Sequence, residues 1–378
     1  MASLTESLAD VLYDILYAII PLSSVVPETD FIGFAQIGVF SIIVLLFLTV
    51  DVAIIIVWME RKLIARMMVR RGPTHIGPYG LMQNIADAIK LISKELLIPI
   101  KADKFGFLFS LFLMIATAAI SMMVIPWSNN FVITDPQAGM LFIFAVFSIY
   151  PIAVLVAGWA SNNKYSLLGG FRSAAQLISY EIPMVLSVVG VILLINWDSE
   201  AGIASFSFQK IVDYQLTHGW LVFPLFLGFV VYFVAMLGET ERIPFDLPEA
   251  ESELVMGWRT EYAAGPYMLI MAIEYFHVFV NASIGVLIFF GGWERIIIPG
   301  VLEIPLEIGG FPIYALFDPA LWFLFKLHVI IIFMILIRAA LPRVRVDQFL
   351  TIGWTRLIPL AFLNLIIAVV IGAVTKGF

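Results

Sequence analysis

The 378-residue chain has no cysteine and only four histidines, His75, His218, His277 and His328. Without cysteine there are no disulfides and no cysteine-ligated iron–sulfur clusters. Four scattered histidines do not suggest a dedicated metal site. Any electrons the chain deals with are therefore expected from a partner. Charge is scarce as well: only 13% of residues are Asp, Glu, Lys or Arg, against about 25% in soluble domains. No basic run is interleaved with aromatics, so no nucleic acid is expected.

What the chain has instead is apolar length. Hydrophobic residues make up 62% of it, more than one aqueous core can hide, so lipid must solvate much of the surface. The pattern predicts an all-α, polytopic membrane protein with about eight spans plus amphipathic interfacial helices. The expected spans are Gln36–Trp58, Phe107–Pro126, Ala138–Gly158, Gln176–Trp197, Trp220–Gly238, Pro266–Phe290, Ala320–Leu341 and Leu357–Thr375. Residues 1–35 read as an N-terminal amphipathic segment. In it Leu8, Val11, Leu12, Ile15, Leu16 and Ile19 repeat at helical spacing, with Asp10 and Asp14 on another face. Met1–Asp10 carries no basic residue and no small-residue cleavage site follows, so a secretory signal is not expected. No convincing internal repeat marks an inverted-repeat transporter.

Residues 36–378 then read as one eight-span domain. Its inside loops are 59–106, 159–175, 239–265 and 342–356. Seventeen of the 21 Lys and Arg residues fall on these loops or at the adjoining span ends. The positive-inside rule places that side in the cytoplasm or matrix.

Two inside loops stand out. The first contains RRGPTHIGPYG, Arg70–Gly80, whose two Gly-Pro pairs break any continuous helix. Leu81, Ile85, Ile89, Ile92 and Leu96 then share one helical face, with Asp87, Lys90 and Lys94 off it. This fits a helix on lipid headgroups or a lip at the entrance for an amphiphilic ligand. The third loop, Gly238–Pro266, holds seven acids: Glu239, Glu241, Asp246, Glu249, Glu251, Glu253 and Glu261. Asp246 and Glu249 fit the start of a short helix. Helix capping does not explain seven acids on the basic side of a membrane. Crowded carboxylates resist joint ionisation, so the loop can exchange protons. Arg242 and Arg259 are its counter-charges. The second loop carries Gly169-Gly170, which suggests a turn.

Asp51, Glu181, Glu274 and Lys326 fall within spans. Such residues usually face a bundle interior or water. Asp51, Glu181 and Glu274 read as parts of a proton path. Glu274 and His277 share a helix face. Lys326 and His328 read as side chains snorkelling to the outer interface.

These segments resemble one family. The matching stretches are ERKLIARMMVRRGPTHIGPYGLMQ from Glu60, GWASNNKYSLLGGFRSAAQLISYE from Gly158 and ETERIPFDLPEAESELVMGW from Glu239. EYAAGPYMLIMAIEY from Glu261 and RAALPRVRVDQF from Arg338 complete the set. Together they resemble the quinone-chamber subunit of respiratory complex I (NADH-quinone oxidoreductase), the H subunit in bacteria and subunit 1 of NADH dehydrogenase in mitochondria. The resemblance implies a proton-translocating quinone oxidoreductase in which this subunit supplies the quinone tunnel and an acidic path. It implies Arg61, Arg71, Asp87, Lys90, Arg242 and Asp246 at the chamber or its entrance. It implies Glu239, Glu249, Glu251, Glu253, Glu261 and Glu274 on the acidic path or chamber wall, which Asp51 and Glu181, read from their place within spans, join as a proton path. Quinone would be the substrate, with no covalent cofactor here and an iron–sulfur cluster in a partner. The implied partners are an iron–sulfur connecting subunit, a quinone-site peripheral subunit and small membrane-arm subunits. The implied location is a prokaryotic cell membrane before a mitochondrial inner membrane. Met68, Thr74, His75 and Glu241 depart from the family pattern and bear on quinone type and tunnel contacts. Two other readings stand beside this one: the membrane anchor of an energy-converting hydrogenase, and an independent ion transporter. The intact PFD and EAESELV segments favour the quinone form.

Overall fold

A computed structural model describes residues 51–128, 136–198, 206–246, 255–294, 307–308, 311–312 and 319–375. The expected N-terminal segment, most of the first span, and Glu249, Glu251 and Glu253 lie outside the described residues, as does the short helix expected to follow Asp246.

The first described element is a π-helical turn, Asp51–Ile56, running into α1, Val57–Met67. Next come α2 (Gln83–Ile92), α3 (Lys104–Val124), α4 (Gly139–Phe147), α5 (Tyr150–Ala160) and α6 (Lys164–Asp198). They are followed by α7 (Phe208–His218), α8 (Phe226–Glu239) and α9 (Ala264–Phe289). A two-residue antiparallel pair, β1 (Glu307–Ile308) with β2 (Phe311–Pro312), precedes α10 (Pro319–Ala340). The last elements are α11 (Val346–Thr351) and α12 (Ile358–Thr375), joined by a π turn.

Among the described residues, six helical stretches are long and apolar enough to cross a membrane. They are Lys104–Val124, Gly139–Ala160, Lys164–Trp197, Ala264–Phe289, Pro319–Ala340 and Asp347–Val374, and each covers an expected span. The expected fifth span is the shorter apolar helix α8. Pro224 stands two residues before α8, and its ring cannot be accommodated in a helix interior. The chain is therefore a helical polytopic membrane protein.

α6 packs against α5, α8 and α12, and α9 packs against α3, α8 and α10. α9 is the most enclosed of the six, with 78% of its apolar window buried against 28% for the stretch that contains α12. Small residues let the helices close up, as expected where lipid offers no hydrophobic drive to pack. Asn364 of α12 sits in a notch made by Gly190 and Gly228, and donates to Ser187 O at 3.3 Å.

Two local expectations are corrected. Gly169-Gly170 does not form a turn. It lies inside α6, which starts twelve residues before the expected span. A Cβ on Gly169 would lie 2.6 Å from the Gly257 backbone, so this glycine serves a close crossing. Lys326 and His328 are held by protein partners and do not snorkel to the outer interface. Lys326 is 7% exposed. Its Nζ donates to the carbonyls of Phe290 at 2.8 Å and Gly292 at 3.0 Å, and to that of Glu294, all just past the end of α9. Carbonyls left unpaired at a helix end attract a cation. His328 turns towards Asp51, at 3.4 Å.

Candidate functional site

The inside ends of the spans carry two cavities. The larger, about 760 Å³, is lined by α1, the Arg70–His75 loop and α2. Asp87 on α2 anchors it. Arg61 Nη1 donates to Asp87 at 2.7 Å and to Asn84 Oδ1 at 3.0 Å, and Gln83 donates to the other Asp87 oxygen at 3.0 Å. Partial burial works to raise the Asp87 pKa. The hydrogen bonds from Arg61 and Gln83, with the charges of Arg61 and Lys90, outweigh it and hold the carboxyl below the ordinary aspartate range. Asn84 Nδ2 also donates to Ile54 O at 3.0 Å, so α2 is tied to the π turn of the first span. The Gly-Pro loop folds back on itself: a Cβ on Gly80, whose φ is +78°, would lie 2.3 Å from Pro73 O. Arg71 lines this cavity, while Lys90 is exposed and outside its lining.

The smaller cavity, about 150 Å³, is polar. Four carboxylates line it, from Glu60, Glu241, Asp246 and Glu274, with the guanidinium groups of Arg242, Arg259 and Arg338. Arg242 Nη1 donates to both Glu60 oxygens, at 3.1 and 3.2 Å, and Arg338 donates to Glu60 as well. Arg259 reaches Glu241 at 3.2 Å and Glu274 at 2.5 Å. Arg343 holds Asp246 at 3.2 Å. Arg242 also lies over the Tyr275 ring, 4.4 Å from its centroid. Buried charges persist in an apolar protein when paired in this way.

The loop carrying these groups is fixed from α6. Gln176 Nε2 donates to Gly238 O at 2.8 Å and to Phe245 O at 2.6 Å, and Ser173 donates to Glu241. Gly238 lies against the Tyr180 ring, where an added Cβ would come within 2.4 Å. The third span breaks between α4 and α5, and Ser148 at the break donates to Glu181. Glu239 is buried beside this group, near enough for the charges of Glu181 and Glu241 to act on it. Its Oε2 has no hydrogen-bond partner among the described residues.

Thus Glu181, Glu239, Glu241 and Glu274 gather at one end of the bundle, with Arg242 and Asp246 lining the polar cavity. Arg61, Arg71 and Asp87 line the larger one. Glu261 stands apart, accepting from Asn163 Nδ2 at 2.7 Å. Asp51 is also apart, beside His328. Two residues of the charged cavity, Glu60 and Arg338, carry no weight in the sequence reading. Glu60 opens the ERKL motif, and its only signal is a single acid at the head of a basic loop. Arg338 shows in the sequence as one inside charge among many. Glu60 and Tyr275 line both cavities, so they form a common wall.

Comparisons with known proteins agree with this architecture. The profile of the NADH dehydrogenase family matches residues 39–369. The H subunit of NADH-quinone oxidoreductase from Dehalococcoides mccartyi (strain CBDB1) is 40% identical over 326 residues, covering 86% of this chain and 84% of that protein. The corresponding H subunit from Brevibacillus brevis (strain 47) is 39% identical over 326 residues, covering 85% and 89%. Matches that long, running through every described span, show that the chain belongs to the NADH dehydrogenase family, that of the NADH-quinone oxidoreductase H subunits.

Proposed function

We propose that the chain forms the quinone tunnel of a complex I-type, proton-translocating quinone oxidoreductase, together with the acidic path that couples quinone reduction to pumping. The observation that carries this reading is the common wall. An open cavity of about 760 Å³ meets a small charged cavity at Glu60 and Tyr275.

A quinone is an apolar ring with two carbonyl oxygens. Reduction to the quinol adds two electrons and two protons, and negative charge builds on those oxygens first. The electrons come from an iron–sulfur cluster in a connecting subunit, and a peripheral subunit completes the quinone site. In this chain Arg61, Arg71 and Asp87 set the polarity of the cavity, and Lys90 acts on Asp87 from the rim. Charge on the quinone is felt across the wall by Glu60 and its two arginines. A shift of Arg242 or Arg338 alters the field at Glu241, Glu274 and the uncompensated Glu239, and protons redistribute towards Glu181. Glu249, Glu251, Glu253 and Glu261 extend the acid group along the same loop. Small membrane-arm subunits receive the change. Residues 36–378 act as one domain in a prokaryotic cell membrane, with 1–35 as an interfacial segment.

The test is a fully assembled Glu239→Gln complex in proteoliposomes. Quinone reduction uncoupled from proton translocation, or lost with it, is expected. Full pumping at the normal ratio to quinone reduced would remove Glu239 from the path. Arg242→Met is expected to abolish quinone reduction itself, and retention of the normal rate would sever the charged cavity from the quinone site.

A further inference from the structure

Asp51 and His328 meet far from the acids grouped around Glu239. Asp51 begins the π turn of the first span, and His328 lies on α10, the seventh. Asp51 Oδ1 is 3.4 Å from His328 Nε2, and the Asp51 side chain is 7% exposed. Its Oδ2 has no hydrogen-bond partner among the described residues. An ionisable pair inside a membrane span is costly and is found chiefly where it works. Single π turns likewise concentrate at functional sites.

Hydrogen-bond direction fixes the proton count. His328 Nδ1 is 2.8 Å from Leu324 O. A carbonyl oxygen only accepts, so Nδ1 carries a hydrogen. Nε2 then faces Asp51 in one of two ways. Either Nε2 also carries a hydrogen, giving an imidazolium beside a carboxylate, or it accepts one from a protonated Asp51. A bare Nε2 against an ionised carboxylate would set lone pair against lone pair in a medium that cannot screen them. Both favourable states put one proton between Nε2 and Oδ1, which at 3.4 Å stand just beyond a hydrogen bond, Nε2 having no hydrogen-bond partner among the described residues. Moving it breaks one N–H bond and forms one O–H bond, with no change in the charge of the pair.

Asp51 is enclosed, the His328 side chain is 21% exposed, and the pair is separated from the charged cavity. Asp51 and His328 lie nine and ten residues from Glu60 and Arg338, on the same two helices. At 1.5 Å per residue the two contacts are rungs about 14 Å apart. Between them Ile56, Ile331 and Ile335 are buried, and the void of about 20 Å³ that they line opens on Glu60, Arg242, Tyr275 and Arg338 and does not reach Asp51 or His328. Such a space holds about one water at most, which cannot bridge that distance. The other ionisable groups on the elements packed here are engaged elsewhere. Glu274 is with Arg259, His277 lies against Tyr150, Arg61 holds Asp87, and Lys326 caps α9.

We propose that Asp51 and His328 form a second proton-binding site, sealed from the charged cavity by an apolar gate of Ile56, Ile331 and Ile335. The gate works by wetting: the proton reaches the Glu60 cluster only when water enters between spans one and seven. The inference rests on these two spans alone and does not depend on the quinone reading.

The experiment transfers the purified whole complex into heavy water and follows the infrared signature of the His328 ring, isolated by difference against His328→Gln. If that variant does not assemble, Asp51→Asn isolates the same proton from the carboxylate side. The shared proton is expected to exchange over hours in the resting complex. Ile331→Ser is expected to speed the exchange at least about tenfold by letting water in. Exchange as fast in the unaltered complex as in Ile331→Ser overturns the seal. A ring signature with Nε2 bare beside an ionised Asp51 overturns the site.

Discussion

Arg242 and Glu60 meet at 3.1 Å across 182 residues of chain. The contact joins the inside end of the first span to the acidic loop after the fifth, and a second arginine, Arg338, shares the same carboxylate. One acid therefore pairs with two cations brought by two other spans. Glu60→Gln is expected to leave two partly buried guanidinium groups without this carboxylate, at a cost below the about 3–5 kcal/mol of a fully buried pair. The measurement is the melting temperature and yield of the detergent-purified complex. Glu60→Gln combined with Arg338→Met, which removes one stranded cation, is expected to recover part of the loss. Equal losses in the single and double variants would argue against the shared pairing.

Arg259 is the bridge between Glu241 and Glu274. Arg259→Leu is expected to set these carboxylates against each other in a buried space. Proton translocation per quinone reduced should fall more than the quinone reduction rate, because the guanidinium lies in the charged cavity and outside the larger one. A proportional fall in both, read in proteoliposomes, would make Arg259 a plain stabiliser.

Asp87 sets an acid limit for the first loop. Its folded-state pKa is depressed, so its stabilising contribution is complete above the unfolded aspartate value of about 3.9 and fades as pH falls through the lower folded value. Loop stability, followed by limited proteolysis, is expected to be flat in this respect from neutral pH down to about pH 5. Arg61→Gln removes the main opposing partner and leaves burial to raise the folded value, so the loop should be weaker at neutral pH and the part of its acid loosening that Asp87 supplies should shrink.

Gly169 and Gly257 are expected to tolerate no side chain. Gly169→Ala places a methyl 2.6 Å from backbone that cannot rotate away, and overpacking of this kind costs about 1–3 kcal/mol. The expected outcome is reduced assembly with normal activity per assembled complex. Gly265→Ala is the control, since nothing lies within 4 Å of an added Cβ there.

Span placement is legible in the sequence because lipid demands long apolar helices, whatever the partners. The basic loops are legible for the same reason: charge is excluded from lipid and collects at one face. Gly169-Gly170 misleads because glycine serves two needs, a turn or a close crossing, and only the neighbouring Gly257 decides between them. Glu241 and its counter-charge Arg259 are visible on one loop, yet the joint hold of Arg259 on Glu274 is not, since Glu274 lies in the following span. Glu60 is hidden by its basic neighbours. Lys326 and His328 resist assignment because their partners, the carbonyls ending α9 and Asp51, lie 32 or more residues away.

The hold of Lys326 on the end of α9 bears on how the chain enters the membrane. A seventh span inserting alone would carry an ammonium group into hydrocarbon, at about 2.5–3.5 kcal/mol for a central lysine. The acceptors it needs belong to the span before it, and they exist only once that helix has formed and ended. Spans six and seven are therefore expected to enter lipid together, as a hairpin. Lys326→Met would let the seventh span insert early and unaccompanied, so this lysine keeps the order of assembly as well as the end of a helix.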